Sequence, residues 1–218
     1  MKTNKIIFVL VILLIVIIYY RCAELNVDLQ HYPENSNSKC NQYGNLDSLS
    51  KKGKLNALKN RPIIEKKHAT KIDLTDFLND GEDSAFFKND FIQNYVFTEG
   101  YIVSGEDMGP ESCNCDLAKK GNHDGDIHFY IASSPNATKY QSMIAEVTPA
   151  YRVKFGSPDA VVYNGKKVRV YGYLFYDVEH RKNSINTCKT CDKKNPNPHS
   201  IWRKTCWEIH PVVKIEVL

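Results

Sequence analysis

The chain has 218 residues, enough for one domain with extensions, and a formal net charge of +4. Setting aside Lys2, Lys5 and Arg21 of the first 21 residues leaves a charge of +1 on the rest. A near-neutral domain lacks the basic surface of a general nucleic-acid binder. The sequence also has no phosphate loop, no dinucleotide fingerprint and no nucleophile elbow, so it gives no support to those enzyme classes.

Residues 1–21 have the pattern of an export signal or a membrane anchor. Two lysines precede an uninterrupted apolar run over residues 6–20. No small residues mark a cleavage site after the run, which favours an uncleaved single-pass anchor at the cell membrane. The positive charges before the run place the C-terminal domain outside the cytoplasm. Signal cleavage, giving a secreted or periplasmic protein, is the alternative.

Residues 22–45 have no hydrophobic period and predict a tether. Residues 46–93 predict a helical extension. In its first part the leucines recur at roughly helical spacing, with Asp47 or Ser48 as a possible cap. In its second part short helical turns carry apolar side chains toward a core. The apolar positions are Leu46, Leu49, Leu55, Leu58, Leu74, Phe77, Leu78, Phe86, Phe87 and Phe91.

Residues 94–218 change to strand-like alternation and predict a β domain. Five strands are expected, at 95–104, 126–132, 141–148, 166–177 and 203–217. A break with room for a short helix separates the third strand from the fourth. That order is typical of a five-stranded OB-like barrel, with a small sandwich as the rival architecture. In the last strand Trp207 and Ile209 face the core, whereas Glu208 and His210 face outward.

The outward faces of three strands carry a set of carboxylates and imidazoles. Asp126 and His128, like Glu208 and His210, are two residues apart and share a strand face. These residue types suit a zinc ion, so the sequence predicts these four as metal ligands and Glu146 as a catalytic base. His180 and His199 could complete the site. The alternative is that these side chains only pin loops to the barrel.

The loops 105–125 and 178–202, which border this face, contain two pairs of cysteines. The pairs are Cys113 with Cys115 and Cys188 with Cys191. Disulfides that staple the two loops, or that close each loop internally, are favoured by export to an oxidising compartment. A four-thiolate zinc site and a redox-active pair at Cys188 and Cys191 are the alternatives.

Outward aromatic side chains suggest a ligand surface. Tyr130, Tyr171 and Tyr173 could stack on a ligand, and Arg203 could bind a phosphate. The alternative is that these aromatic side chains pack beneath the N-terminal helices.

Several motifs of residues 95–218 together resemble a group of exported bacterial proteins of OB-fold-like type. The motifs are Glu111-Ser112-Cys113-Asn114-Cys115, Asp126-Ile127-His128, Glu146-Val147-Thr148-Pro149, Val168-Arg169-Val170-Tyr171-Gly172-Tyr173-Leu174 and Trp207-Glu208-Ile209-His210-Pro211-Val212. The resemblance implies the fold and brings no established activity. The sequence therefore predicts a membrane-tethered or exported binding or interaction module of the cell envelope. A metal-dependent hydrolase is the alternative.

Overall fold

The computed structural model describes residues 42–61, 68–79, 95–108, 111–115, 125–149, 151, 160–194, 196–197 and 200–218. The predicted anchor, nearly all of the tether, Phe86, Phe87, Phe91 and His199 lie outside these ranges. Among the described residues, no helix has the length and apolar character needed to cross a membrane. All the described residues belong to a compact unit spanning 33–218.

The domain is mainly β, and its centre is a closed five-stranded mixed barrel. The strands are β1 (Thr70–Lys71), β2 (Tyr95–Asp107), β3 (Ile127–Ala132), β4 (Met143–Val147), β5 (Lys167–Tyr176) and β6 (Trp207–Val217). Around the barrel the order is β2-β3-β4-β6-β5, and β5 pairs with β2 to close it. The β4–β6 pair is parallel and the other barrel pairs are antiparallel. The predicted OB-like order is confirmed, including the position of the third barrel strand between the second and the fifth.

The barrel interior is filled by the alternate apolar side chains that the sequence pattern selected. Phe129, Ala145 and Ile209 are fully buried, one from each of three neighbouring strands. Trp207 lies at the end of this core, where its ring meets Phe77 and Tyr176 edge to face. Such burial of apolar side chains is the main favourable term in folding.

Among the described residues, three α-helices lie outside the barrel strands: α1 (Lys51–Lys59), α2 (Leu74–Asn79) and α3 (Ala160–Tyr163). Helix α2 inserts Leu74, Phe77 and Leu78 into the core, as predicted. Helix α1 begins later than either predicted cap allows. Its cap is Ser50, whose Oγ accepts the backbone N–H of Gly53 at 2.9 Å.

Helix α1 buries a polar face. Its buried residues are Gly53, Asn56 and Lys59, whereas Leu49 just before it is 79% exposed. The leucine pattern therefore pointed to the wrong face. The polar face is inside because α1 packs on the turn Ser112–Asn114 and on β6, where the barrel surface is itself polar. This covering creates the site described next.

Candidate functional site

Adjacent barrel strands bring the predicted imidazoles and carboxylates together. His128 on β3 is the direct cross-strand partner of Glu146 on β4. Residues 144 and 145 of β4 pair in parallel with Glu208 and Ile209 of β6, which places His210 near Glu146. Since side chains two apart on a strand share a face, all four polar side chains meet on the outer surface of the barrel.

Glu146 is the centre of this cluster. Its Oε2 atom lies 2.9 Å from His128 Nε2 and 3.2 Å from His210 Nδ1. The same His210 nitrogen is 3.4 Å from Glu208 Oε2. Glu146 had been predicted as a base beside the ligands, but the structure places it between the two imidazoles, where it can itself be a ligand.

The cluster is buried, which corrects the expectation of an exposed outer face. His128, Glu146, Glu208 and His210 are each at most 2% exposed. Strand β6 is buried on both faces from Trp207 to Val213 because one face meets the core and the other is covered. The period-two pattern identified the polar face correctly but contained no information about its cover.

The electrostatics of the cluster follow from this burial. Burial alone would raise the pKa of Glu146, but the neighbouring imidazoles of His210 and His128 lower it well below its usual range. Burial would lower the pKa of His210, and Glu146 instead raises it to about 9. No described residue offers a hydrogen-bond partner to His128 Nδ1 or His210 Nε2.

A second group of ligand-type atoms adjoins the first. The Cys113 sulfur lies 3.4 Å from Glu111 Oε2 and 3.9 Å from Asp126 Oδ2. Burial, together with Glu146, raises the pKa of Asp126 well above its usual range. Lys59 of α1 reaches Glu111 Oε2 at 3.3 Å, so the helix closes this side of the cluster with a positive charge.

Arg203 holds the other side of the cluster. This fully buried guanidinium donates to Glu208 Oε1 and, at 2.8 Å, to Asp177 Oδ2. His180 contacts the same Asp177 oxygen. Trp202 stacks on His128, with ring centroids 5.9 Å apart. Arg203 therefore fixes one oxygen of Glu208 and leaves the other facing His210, while Trp202 fixes the His128 ring.

Among the described residues, three sets of ligand-type atoms can each surround one ion. In each set the atoms lie within 4.8 Å of one another. One set is Glu146, Glu208 and His210, and the others join Glu111 to His128 and Glu146, or to Cys113 and Asp126. The predicted ligands Asp126, His128, Glu208 and His210 all belong to this network.

The predicted ligand residues Tyr130, Tyr171, Tyr173 and Arg203 each have different partners within the structure. Tyr130 is buried and donates to Glu106 Oε2 at 3.0 Å. The Arg61 guanidinium carbon lies 4.6 Å from the centre of the Tyr173 ring, and the Tyr171 hydroxyl donates to Glu216 Oε2 at 2.9 Å. The packing of Tyr173 beneath Arg61 matches the alternative in which these rings lie under the N-terminal extension.

The cysteines do not staple the two loops in this structure. Cys113, Cys188 and Cys191 are free thiols. Cys113 contacts Asp126 in the buried cluster, whereas Cys188 packs with Ile185 and Ile201. With Cys188 and Cys191 free, no disulfide joins the two loops, Cys115 is disulfide-bonded, and the four-thiolate grouping is not formed.

The sequence reading missed Lys59, Asp177 and the role of Glu111 in this network. The available signal was the polar spacing of Gly53, Asn56 and Lys59 along one face of α1, which the leucines obscured.

Comparison with protein-family models, with curated proteins and with solved structures finds no match for this chain. Inferences about the site therefore rest on its own geometry.

Proposed function

We propose that this protein is a metal-binding module that holds a divalent ion, with zinc the best match. The proposed ligands are Glu146, Glu208 and His210, which form one group beneath helix α1, with His128 as a fourth ligand that moves toward them. The observation that carries the proposal is the position of Glu146 Oε2, within 3.2 Å of nitrogens from two buried histidines.

The distances suit a metal site. Zinc binds imidazole nitrogen and carboxylate oxygen at about 2.0–2.2 Å, so ligand atoms at the corners of a tetrahedron are about 3.4 Å apart. The three ligand contacts around Glu146 and His210 span 2.9–3.4 Å. Glu146, Glu208 and His210 can hold one ion with small shifts of their side chains, whereas His128 belongs to a separate group with Glu111 and Glu146 and needs a larger shift to join them.

The charges also support a cation. Asp126, Glu146 and Glu208 bring three buried carboxyl groups to one face, and of the two Glu208 oxygens Arg203 donates to Oε1. Buried carboxylates require compensation by a partner or a metal ion. Arg203 and Trp202 orient Glu208 and His128, as outer groups commonly do around metal ligands.

The burial favours a binding role over the metal-dependent hydrolase. A catalytic zinc keeps an open position for water, whereas structural sites are closed by protein ligands. Four ligand side chains covered by α1 and the turn Ser112–Asn114 fit the closed type. We place the module in the cell envelope on the strength of the anchor-like residues 1–21, with signal cleavage as the alternative.

The test measures zinc on the full chain, purified without chelators and then stripped and titrated by calorimetry. One zinc per chain is expected. His210→Gln and Glu146→Gln should weaken zinc binding by more than about 100-fold, since loss of outer groups alone costs 10–100-fold. His68→Gln is the matched control because His68 is exposed and belongs to none of the ligand groups found among the described residues, so it should bind like the wild type.

Absence of zinc binding by the wild type, or equal binding by the Glu146 and His68 variants, would overturn the proposal. Circular dichroism of each variant separates loss of the site from loss of the fold. Zinc-dependent turnover of a phosphodiester or ester that disappears in His210→Gln would instead support the hydrolase.

A further inference from the structure

Cys188 and Cys191 lie in a turn outside the buried cluster. The Cys188 sulfur accepts the backbone N–H of Cys191 at 3.0 Å, and the Cys191 sulfur lies 3.8 Å from the Cys188 carbonyl oxygen. The backbone N–H of Cys188 is bound in turn to the Ser184 carbonyl at 2.9 Å. These contacts fold the Cys-x-x-Cys segment so that both thiols are on one side of a tight turn.

Both thiols line a cavity of about 1000 Å³. Arg181, Lys182 and Lys189 contribute positive charge to its lining, and Asp192 contributes one negative charge. A cleft lined by one sign of charge raises the local concentration of oppositely charged molecules. The cavity therefore favours small anionic compounds near the two sulfur atoms.

The pair does not belong to a metal site formed by the described residues. None of the ligand groups found among them includes Cys188 or Cys191. Cys113, another free thiol, contacts Glu111 and Asp126 instead. The cavity is thus lined by two neighbouring cysteines and by basic side chains, and the metal-binding proposal does not use it.

We propose that Cys188 and Cys191 form a thiol–disulfide exchange site for anionic low-molecular-weight disulfides. This proposal is independent of the metal-binding module. The positive lining recruits the disulfide, and the turn presents both sulfurs to it.

The reaction has two balanced steps. The Cys188 thiolate attacks one sulfur of the disulfide RSSR, whose S–S bond breaks, and the leaving thiolate takes a proton from solvent. Cys191 then loses its proton and attacks the Cys188 sulfur, which releases the second thiol. Two electrons and two protons pass from the protein dithiol to RSSR, giving two RSH and a Cys188–Cys191 disulfide.

The local electrostatics are consistent with this division of roles. A hydrogen bond from the Cys191 thiol lowers the pKa of Cys188, and burial raises the pKa of Cys191. The thiolate is the nucleophile, so Cys188 reacts first. Cys206 is an internal reference because it is fully buried and burial raises its pKa.

The test uses oxidised glutathione as the probe on the full, metal-free chain. Remaining thiols are trapped with a maleimide and assigned by peptide mass spectrometry. Cys188 and Cys191 should oxidise together and recover with reduced glutathione, while Cys206 stays reduced. Cys191→Ser should stop at one glutathione on Cys188, and Cys188→Ser should slow the reaction by at least roughly tenfold because the thiolate is lost.

A charge variant tests the cavity itself. Lys189→Glu should slow the reaction with oxidised glutathione several-fold at low ionic strength. The same variant should leave the reaction with neutral hydroxyethyl disulfide unchanged. Oxidation of Cys188 no faster than that of Cys206, or a stable one-glutathione adduct on the wild type, would overturn the proposal. Tight zinc binding that protects both thiols would also overturn it, in favour of a thiolate metal site.

Discussion

Replacing Arg203 should lower the free energy of unfolding of the domain far more than replacing an ordinary surface arginine. Arg203 is fully buried and donates to Asp177, Glu208 and the Ser184 hydroxyl. Breaking a buried ion pair by deleting one partner costs about 3–5 kcal/mol because a buried charge is left uncompensated. Arg203→Met keeps most of the side-chain volume, so the loss reports on charge.

We expect a loss of unfolding free energy in the upper part of that range, because the carboxylates of Asp177 and Glu208 lose the same partner. Domains of this size have unfolding free energies of about 5–15 kcal/mol, so Arg203→Met would remove a large share. At about 2–4 °C per kcal/mol, the melting temperature should fall by roughly 10–20 °C. Replacing Asp177 by Asn in the same chain should recover part of the loss, since one uncompensated charge is then removed.

The assay is urea denaturation followed by tryptophan fluorescence. Trp202 stacks against both Arg203 and His128, so its emission reports directly on the network. Arg169→Met is the matched control: Arg169 pairs with Glu99 at 2.6 Å but remains about one-third exposed. Solvent screens such a pair, so the control should change stability far less.

The loss of unfolding free energy caused by Arg203→Met should also depend on pH in a defined direction. Burial alone would raise the pKa of Asp177, but the contact with His180 and the charge of Arg203 lower it far below its usual range. A group with a depressed folded-state pKa stabilises the fold above its unfolded pKa of about 3.9 and loses that contribution as pH falls further. The penalty of Arg203→Met should therefore be full at pH 7 and shrink in acid. A loss below about 1 kcal/mol at pH 7 would refute the reasoning, because that is the value of an exposed pair.

Three further predictions concern the site, its rim and its cover. Zinc at 100 times its dissociation constant should stabilise the wild type by about 2.7 kcal/mol in thermal denaturation, and Glu146→Gln should abolish the shift. The contact with Asp177 raises the pKa of His180 in the folded state. His180→Asn should therefore lower the free energy of unfolding below about pH 6.5, and progressively less as pH rises through the folded pKa. Equal losses measured by denaturation at pH 6 and pH 9 would contradict this. Gly53→Ala should destabilise α1, contrary to helix propensity, because the added Cβ would lie 2.1 Å from the Asp47 carbonyl oxygen. Faster hydrogen exchange in the helix is the expected result, and unchanged exchange would contradict the prediction.

The barrel could be predicted because its strands carry their own signal. Alternation of apolar residues placed all five strands within a few residues of their observed bounds, and Phe129, Ala145 and Ile209 face the core as expected. The neighbour relation of the strands then brought His128, Glu146 and His210 together. That step came from the fold type, because periodicity alone does not specify which strands pair.

The cover of the site could not be predicted from the same signals. A helix is expected to bury its apolar face, so the sequence pattern predicts the leucines around α1 as the packing face. Helix α1 instead buries Asn56 and Lys59, because the surface it covers is polar and offers Ser112 and Glu111 as partners. Pairing between two polar surfaces depends on tertiary contacts more than 50 residues apart in the chain, which local pattern does not contain.

The cost of this cluster is itself an argument for a ligand. Burying ionisable groups carries a desolvation penalty, and replacing buried ion pairs by apolar residues of similar volume is often neutral or stabilising. Helix α1 could cover a barrel face made of apolar side chains at lower cost. The chain instead buries three carboxyl groups and two imidazoles there, with Arg203 and Trp202 holding two of them in place. Stability does not require this arrangement, whereas the proposed metal site does.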